Sequence, residues 1–181
     1  MKSTQTEKES HTGIFEIDIK KLHFKKTKDM NYMIFTDSGK PMIKLEKVYL
    51  PFGIEYYNKK QILNIEMYPN KNNTHNNLYS LITFLEKEFE EKNINDNQLK
   101  NNLTNLDYHC GLKETNMNSV HFRTYMSQNP EIYTYIGKFK ENVTQSSVKQ
   151  RICNIEVELG TLWTNETSYG IIWYVKSIQI L

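Results

Sequence analysis

Residues 151–181 carry the clearest structural signal of the chain, reading RICNIEVELGTLWTNETSYGIIWYVKSIQIL. In the first half of this stretch, apolar and polar side chains alternate, which is typical of a β-strand with one buried face. The apolar members are Cys153, Ile155, Val157 and Leu159. Residues 164–168 are polar and suit a short loop, and residues 169–181 return as a β-branched and aromatic strand. The stretch therefore predicts an extended C-terminal β-hairpin.

The second strand of this hairpin admits two arrangements. In one, the odd-numbered side chains of residues 171–175 face the core, and a register break at Lys176 is needed before the pattern resumes. In the other, the even-numbered side chains from Ile172 onward face the core without a break, and Trp173 lies outward. An outward indole indicates a stacking or interface role, whereas an inward one belongs to the core.

Length and composition restrict the class of protein. The 181 residues suffice for one core of ordinary size, and we expect a single domain over residues 13–181. The chain has no alanine and only two arginines, while Lys, Asn, Ile and Tyr are abundant, as a strongly AT-biased genome would produce. Its 23 positive and 21 negative side chains give a net charge of +2, which neither requires nor excludes a polyanionic partner.

The N-terminal residues 1–12 are polar, charged and without periodicity, which predicts a disordered tail. No apolar run follows them, so we expect neither a signal peptide nor a membrane span. Cys110 and Cys153 lie far apart without a paired-ligand spacing, which favours two reduced thiols. These features predict a protein of the cytoplasm, the nucleus or a viral replication site that is not secreted and has no membrane partner.

Short β-strands at regular spacing fill most of the remaining sequence and favour a sandwich or barrel. They are predicted at residues 15–24, 30–36, 42–50, 54–57, 62–68, 106–110, 119–126 and 132–140. One helix is predicted over Leu78–Lys92, because its apolar residues recur at helical spacing. Residues 93–105 are rich in Asn and predict a polar surface loop.

No catalytic or metal-binding motif stands out. The densest group of ligand-type side chains is Asp107, His109, Cys110 and His121, and its spacing matches no standard zinc pattern. Phosphate loops, nucleophile elbows and paired catalytic carboxylates are also not recognisable. We therefore predict a non-enzymatic protein that needs no metal or cofactor.

Aromatic residues interleaved with cations on predicted strands indicate a different chemistry. Residues 121–125, reading HFRTY, place a cation and a phenol on one face of a strand. Proteins that hold single-stranded nucleic acid stack bases on aromatic rings while Lys and Arg contact the phosphates. The alternative is that the aromatic residues fill the core and the lysines solvate its surface.

The order of strands, one helix and further strands resembles the OB-fold, with LGTLW at 159–163 before the final turn and YGIIWYVKSIQIL at 169–181 after it. In particular, the chain is similar to the single-stranded DNA-binding proteins of podophages and large eukaryotic DNA viruses. The resemblance implies an OB-like antiparallel barrel, with its helix between the third and fourth barrel strands. The acidic C-terminal tail of the phage proteins has no counterpart here, but the last strand could pair with another subunit as a homo-oligomer.

We therefore expect a viral protein that coats single-stranded DNA (ssDNA) during replication, repair or recombination, with replication proteins as possible partners. The predicted phosphate contacts are Lys25, Lys26, Lys44, Arg123, Lys138 and Lys140. The predicted base-stacking residues are Tyr32, Phe35, Tyr125, Tyr135, Trp163 and Trp173. The alternative hypothesis is a β-rich viral structural or assembly protein whose aromatic surface contacts other proteins.

Overall fold

The computed structural model describes residues 17–29, 31–71, 73–115 and 118–181. The predicted polar tail at residues 1–12 lies outside them, as do residues 15 and 16 of the first predicted strand. Over the described residues the protein is mainly β, with two α-helices.

The strands of the described residues form one sheet. They are β1 (His23–Lys26), β2 (Tyr32–Phe35), β3 (Met42–Leu50), β4 (Ile54–Tyr57), β5 (Lys60–Met67), β6 (Asp107–His109), β7 (Leu112–Glu114), β8 (Val120–Ile136), β9 (Phe139–Asn142), β10 (Arg151–Thr164) and β11 (Ser168–Ile180). The helices are α1 (Asn73–Glu90) and α2 (Asn97–Leu103), and short 3-10 helices cover Ile19–Lys21 and Gln145–Val148.

Five long strands pair in a circuit that returns to its starting point. β3 pairs with β5, β5 with β8, β8 with β11, β11 with β10, and β10 with β3. Four of these pairings are antiparallel, whereas β8 and β11 run parallel. The expectation of a wholly antiparallel sheet is therefore wrong. The long connection through β9 and β10 lets the chain re-enter the sheet in the same direction.

The burial of β11 decides between the two arrangements of the final strand. Ile171, Trp173 and Val175 are 6%, 1% and 0% exposed, so the odd-numbered side chains face the core. The register between β10 and β11 shifts at Lys176, where the extra residue forms a bulge. The arrangement with Trp173 outward is wrong, because the bulge restores the apolar pattern beyond it.

Both edges of β11 are occupied. β10 pairs with one edge along nearly the whole strand, while β6 and β8 pair with the other. Backbone groups that are already hydrogen-bonded cannot add a strand from a second molecule. Little of the β11 edge is therefore free to form the predicted homo-oligomer through the C-terminal strand.

The predicted helix is present as α1, which begins earlier and ends earlier than expected, spanning Asn73–Glu90. Ile82, Leu85 and Phe89 form its buried stripe. α1 lies between β5 and β8, the second and third strands of the circuit in chain order. The expected place between the third and fourth strands is wrong. That connection, from β8 to β10, contains β9 and a 3-10 helix instead.

The predicted loop at residues 93–105 contains the helix α2, so this prediction is wrong. Ile94, Leu99 and Leu103 are each 1% exposed and anchor the segment in the core. Asp96 caps the helix by accepting a hydrogen bond from the Leu99 amide at 2.9 Å. Two leucines spaced by four residues outweigh the Asn-rich composition, since packing of one apolar face stabilises a short helix.

Two further strand predictions need correction. In place of a first strand over residues 15–24, the described part forms the 3-10 helix Ile19–Lys21, and β1 begins at His23. The two strands predicted at residues 119–126 and 132–140 are one strand, β8, followed by a turn and β9. Pro130 is tolerated within β8 because it lies in an irregular stretch where the pairing with β11 changes register.

Candidate nucleic-acid interface

The outward side of β8 defines the candidate site. Its even-numbered side chains from Val120 to Met126 are buried, so the odd-numbered His121, Arg123 and Tyr125 point away from the core. This alternation follows from the sequence, since apolar residues and Thr124 occupy the even positions. The outward positions hold a cation and two rings that are accessible from solvent.

The pairing of strands brings residues from distant parts of the sequence beside this row. Arg123 lies opposite Asn64 of β5, and Tyr125 lies opposite Ile62. On the other side, Tyr125 lies opposite Tyr174 of β11. Directly opposed residues in a sheet share a face, so Tyr174 extends the row across β11.

Ring contacts link these residues into alternating aromatic and cationic groups. The guanidinium carbon of Arg123 lies 5.1 Å from the centre of the Tyr57 ring, and the Lys60 ammonium lies 5.9 Å from that of Tyr125. The ring of Phe52 meets that of His121 edge-on at 5.6 Å. We call this surface the outer aromatic face. It consists of Phe52, Tyr57, Lys60, His121, Arg123, Tyr125 and Tyr174.

Two shallow depressions flank Arg123 and Tyr125. One, of about 480 Å³, is lined by residues that include Tyr56, Lys60, Tyr125 and Tyr174. The other, of about 670 Å³, is lined by residues that include Lys113, His121 and Arg123. Tyrosine rings and Lys60 border the first depression, and the second holds Glu114 as well as Lys113 and Arg123, so the face offers apolar surface and charges of both signs.

Gly160 sets the position of the Tyr174 ring. A Cβ atom added at Gly160 would lie 2.4 Å from a carbon of that ring, so the ring rests directly on the β10 backbone. The Tyr174 hydroxyl also lies 3.4 Å from the Thr161 hydroxyl. The missing side chain at Gly160 therefore allows Tyr174 to lie flat against the sheet.

Three carboxylates lie near this face: Glu55 and Glu66 contact neighbouring groups, and Glu114 lines the second depression. Glu55 accepts a hydrogen bond from the Asn64 amide at 2.9 Å. Glu66 accepts one from the Ser119 hydroxyl at 2.8 Å and lies 3.7 Å from His121. These contacts fix the positions of the Glu55 and Glu66 carboxylates beside the face.

Of the predicted site residues, Arg123 and Tyr125 belong to the outer aromatic face. Tyr135, Lys138 and Lys140 lie farther along β8 and on the turn and strand that follow it. Tyr135 is 51% exposed, and the Lys140 ammonium lies 4.1 Å from the centre of the Tyr133 ring.

Two of the predicted stacking residues are buried in the core. Trp173 is buried and meets Phe122 edge-on at 5.8 Å, and Tyr32 is buried, with its hydroxyl accepting a hydrogen bond from Asn102. Trp163 is half-buried, with its ring 5.9 Å from that of His109. Their apolar surface contributes to packing and leaves no open face for a base on Trp173 or Tyr32.

The remaining predicted residues lie apart from the outer aromatic face. Lys44 is on β3, with its ammonium 3.2 Å from Glu46. Lys25 on β1 and Phe35 on β2 occupy the outward side, four and three strands from β8, or about 19 and 14 Å at about 4.8 Å per strand. Lys26 pairs with the buried Tyr32 on the other side of β1.

Sequence reasoning did not select Phe52, Tyr57, Lys60 or Tyr174. The first three lie in the segment PFGIEYYNKK at residues 51–60, whose aromatic and basic content was a visible signal. Its neighbours in space, β8 and β11, follow in the sequence only after residue 119. Only the strand pairing shows that these segments share one surface.

Among the described residues, no group of three His, Cys, Asp or Glu side chains is arranged to hold a metal ion. No helix in the described ranges is both long and apolar enough to cross a membrane.

No protein-family model matches the chain, and no curated protein sequence does. Solved structures of single-stranded DNA-binding proteins, however, share its fold. The protein of bacteriophage Enc34 in complex with ssDNA is 13% identical, with a TM-score of 0.54 over 87% of this chain and 92% of that one. A second structure of the single-stranded DNA-binding protein from bacteriophage Enc34 is 15% identical, with a TM-score of 0.53 over 88% and 89%. Its C-terminal truncation is 14% identical, with a TM-score of 0.50 over 88% and 92%. At this identity, the likeness is one of fold.

Proposed function

We propose that this chain is an OB-like barrel, closed by its C-terminal hairpin, that coats ssDNA during replication, repair or recombination without strong sequence preference. The observation that carries the proposal is the outer aromatic face, where cations and open rings alternate on paired strands. OB-folds bind oligonucleotides on the face of their second and third strands. In the circuit described above, those strands are β5 and β8.

Each part of the face has a role in this proposal. Tyr57, Tyr125 and Tyr174 offer ring faces on which successive bases stack, which is tolerant of sequence because every base has a π-face. Lys60 and Arg123 contact phosphates, and their positions over tyrosine rings hold them beside the stacked bases. Binding of this kind needs neither catalysis nor a cofactor.

Two observations support the proposal. The Enc34 structure that shares this fold is a complex with ssDNA. Lys60 and Arg123 lie over tyrosine rings and form no ion pair among the described residues, which leaves their charges available to a phosphate. Partner replication proteins, expected from the resemblance, would bind elsewhere on the chain.

The test is a titration of fluorescently labelled oligo-dT, followed by anisotropy at about 50 and 200 mM salt. Anisotropy is preferable to tryptophan fluorescence because Trp173 is buried and Trp163 lies against His109. We expect saturable binding that weakens steeply with salt, since phosphate contacts release counterions. Tyr125→Ala should weaken binding by roughly 1–3 kcal/mol, the contribution of one stacked base.

Phe84→Ala provides a matched control, because Phe84 is 51% exposed on α1, a helix that contributes no residue to the face. It should bind as tightly as the unmodified protein. An absence of binding at the lower salt, or equal losses for the two variants, would refute the proposal. Binding of a partner protein that is insensitive to salt would favour the structural or assembly role instead.

A further inference from the structure

β8 continues beyond the outer aromatic face into a projecting arm, which we define as residues 131–142. A two-residue turn at Gly137 and Lys138 connects β8 to β9, with Gly137 at a φ of 62° as the first turn residue. Across the turn, Tyr135 lies opposite Lys140, and Tyr133 lies opposite Asn142. This arm occupies the connection between the third and fourth strands of the circuit.

The tyrosines of the arm lie on the same side of the sheet as Tyr125. Ile132 is 7% exposed and lies opposite Ile178 of β11, which is 0% exposed, so this pair faces the core. Because side chains alternate along a strand, Tyr133 and Tyr135 point outward. The outward side of β8 thus carries rings at both of its ends.

The arm repeats the chemistry of the outer aromatic face. The Lys140 ammonium lies 4.1 Å from the centre of the Tyr133 ring and 2.6 Å from the carboxylate of Glu131. The Tyr133 and Tyr135 rings meet edge-on at 5.7 Å, and Tyr135 is 51% exposed. One tyrosine therefore has a cation on its ring, and its neighbour presents open aromatic surface to solvent.

The stretch between the two ends does not repel a polyanion. Glu131 is the single carboxylate in the sequence of β8, and its contact with Lys140 balances its charge. On the neighbouring strand, Lys176 lies 3.5 Å from Glu158, which also lies 3.7 Å from Lys40. Glu156 lies on the same side of β10, where it accepts a hydrogen bond from the Ser177 hydroxyl at 2.9 Å, so two lysines and two carboxylates balance beside the path.

We infer that the arm is a second contact for the same DNA strand, which runs along β8 from Tyr125 to Tyr135. This inference rests on the proposed function and extends its footprint. The two tyrosines are ten residues apart in sequence, but residues 127–130 of β8 have no register partner on β11, which covers the span from Tyr125 to Thr134 in the six residues from Tyr174 to Ile180. With one further residue to Tyr135, the separation is about 23 Å at about 3.3 Å per residue. An oligonucleotide must exceed a threshold length to reach both, about seven nucleotides if they stack at about 3.4 Å each.

The test compares oligo-dT of graded length, from dT4 to dT30, on the full chain. We expect Tyr135→Ala to weaken binding of dT30 by roughly fivefold to a hundredfold, as for one lost base stack, and to leave dT4 binding within twofold. Tyr135→Phe should retain the affinity for dT30, because the ring and not the hydroxyl makes the contact.

Phe139→Ala is the matched control, because Phe139 lies opposite Ile136 on the other side of the same arm and is 78% exposed. It should bind dT30 normally. The inference is overturned if Tyr135→Ala binds dT30 normally, weakens dT4 and dT30 equally, or behaves like Phe139→Ala. If the unmodified protein binds no oligo-dT at all, the proposed function itself fails, which is a separate result.

Discussion

Burial separates the aromatic residues of this chain into two sets with different roles. Trp173 and Phe122 are buried and pack edge-on in the core, whereas Tyr57 and Tyr135 are about half exposed on strands. Composition cannot separate these sets, since a tyrosine suits both a core and a wet surface. At the scale of the residue, function therefore depends on which side of a strand each ring occupies.

The buried environment of Glu86 makes the stability of the protein depend on pH. It lies on the buried side of α1 and is 3% exposed, and its carboxylate accepts hydrogen bonds from the Tyr108 hydroxyl and the Gly111 amide. Burial raises the pKa of Glu86 above its usual value, although the hydrogen bonds from Tyr108 and Gly111 act in the opposite direction. The folded protein therefore binds this proton more tightly than the unfolded chain.

We predict that Glu86→Gln stabilises the protein at neutral pH. A raised pKa in the folded state means that the contribution of Glu86 is fully present below its unfolded pKa, about 4.3, and is lost as pH rises through the folded pKa. The neutral amide removes this loss, so the free energy of unfolding should vary less above about pH 4.3. Urea unfolding at several pH values measures how the free energy of unfolding depends on pH.

Glu141→Gln serves as the control, because Glu141 is exposed on β9 and does not contribute to the raised pKa of Glu86. Its unfolding should show the same pH dependence as the unmodified protein. A Glu86→Gln variant that is less stable at pH 7, or equally dependent on pH, would contradict the assignment.

At the scale of the element, α2 shows how a short helix forms in an unfavourable composition. Its seven residues include three Asn, which have poor helix propensity. Leu99 and Leu103 bury one face, and Asp96 satisfies an amide at the first turn. The helix therefore depends on its cap and its two leucines.

We predict that Asp96→Ala lowers the free energy of unfolding by about 1 kcal/mol, because the Leu99 amide loses its acceptor. Urea unfolding followed by far-UV circular dichroism gives this value. Asn101→Ala, at an exposed position within α2, should leave stability unchanged or raise it slightly. If the two variants are equally stable, the cap does not stabilise the helix.

At the scale of the whole molecule, a net charge of +2 gives little attraction for DNA, so the local arrangement of charge has to supply it. The circuit of strands places Arg123 and Lys60 on one outward surface. Contacts within the protein engage nearby carboxylates, including Glu55, Glu66 and Glu131. The folded molecule thereby places these two cations beside tyrosine rings, an arrangement that the summed charge does not reveal.

We predict that Arg123→Gln reduces the dependence of ssDNA affinity on salt. For single strands, each phosphate contact contributes about 0.7 to the slope of log affinity against log salt concentration, so this slope should fall by about that amount. Anisotropy titrations between about 50 and 200 mM salt measure it. Lys26→Gln, on the other side of β1, should leave the slope unchanged. Equal slopes for all three proteins would exclude Arg123 as a phosphate contact.

The sequence by itself determined the features that depend on local periodicity. Strand β3 has the predicted bounds, Met42–Leu50, and the stripe of Ile82, Leu85 and Phe89 identified α1. Alternation along residues 121–125 also placed Arg123 and Tyr125 on one side of a strand before any fold was known. These features follow from spacing within a single element.

Tertiary structure alone decided which separate segments share a surface. The bulge at Lys176 buried Trp173, and pairing with β8 brought Tyr57, Lys60 and Tyr174 beside Arg123 and Tyr125. The parallel pairing of β8 with β11 likewise depends on contacts between residues far apart in sequence. Register and strand order are set by packing of the whole core, because a shift of one residue exchanges the two faces of a strand.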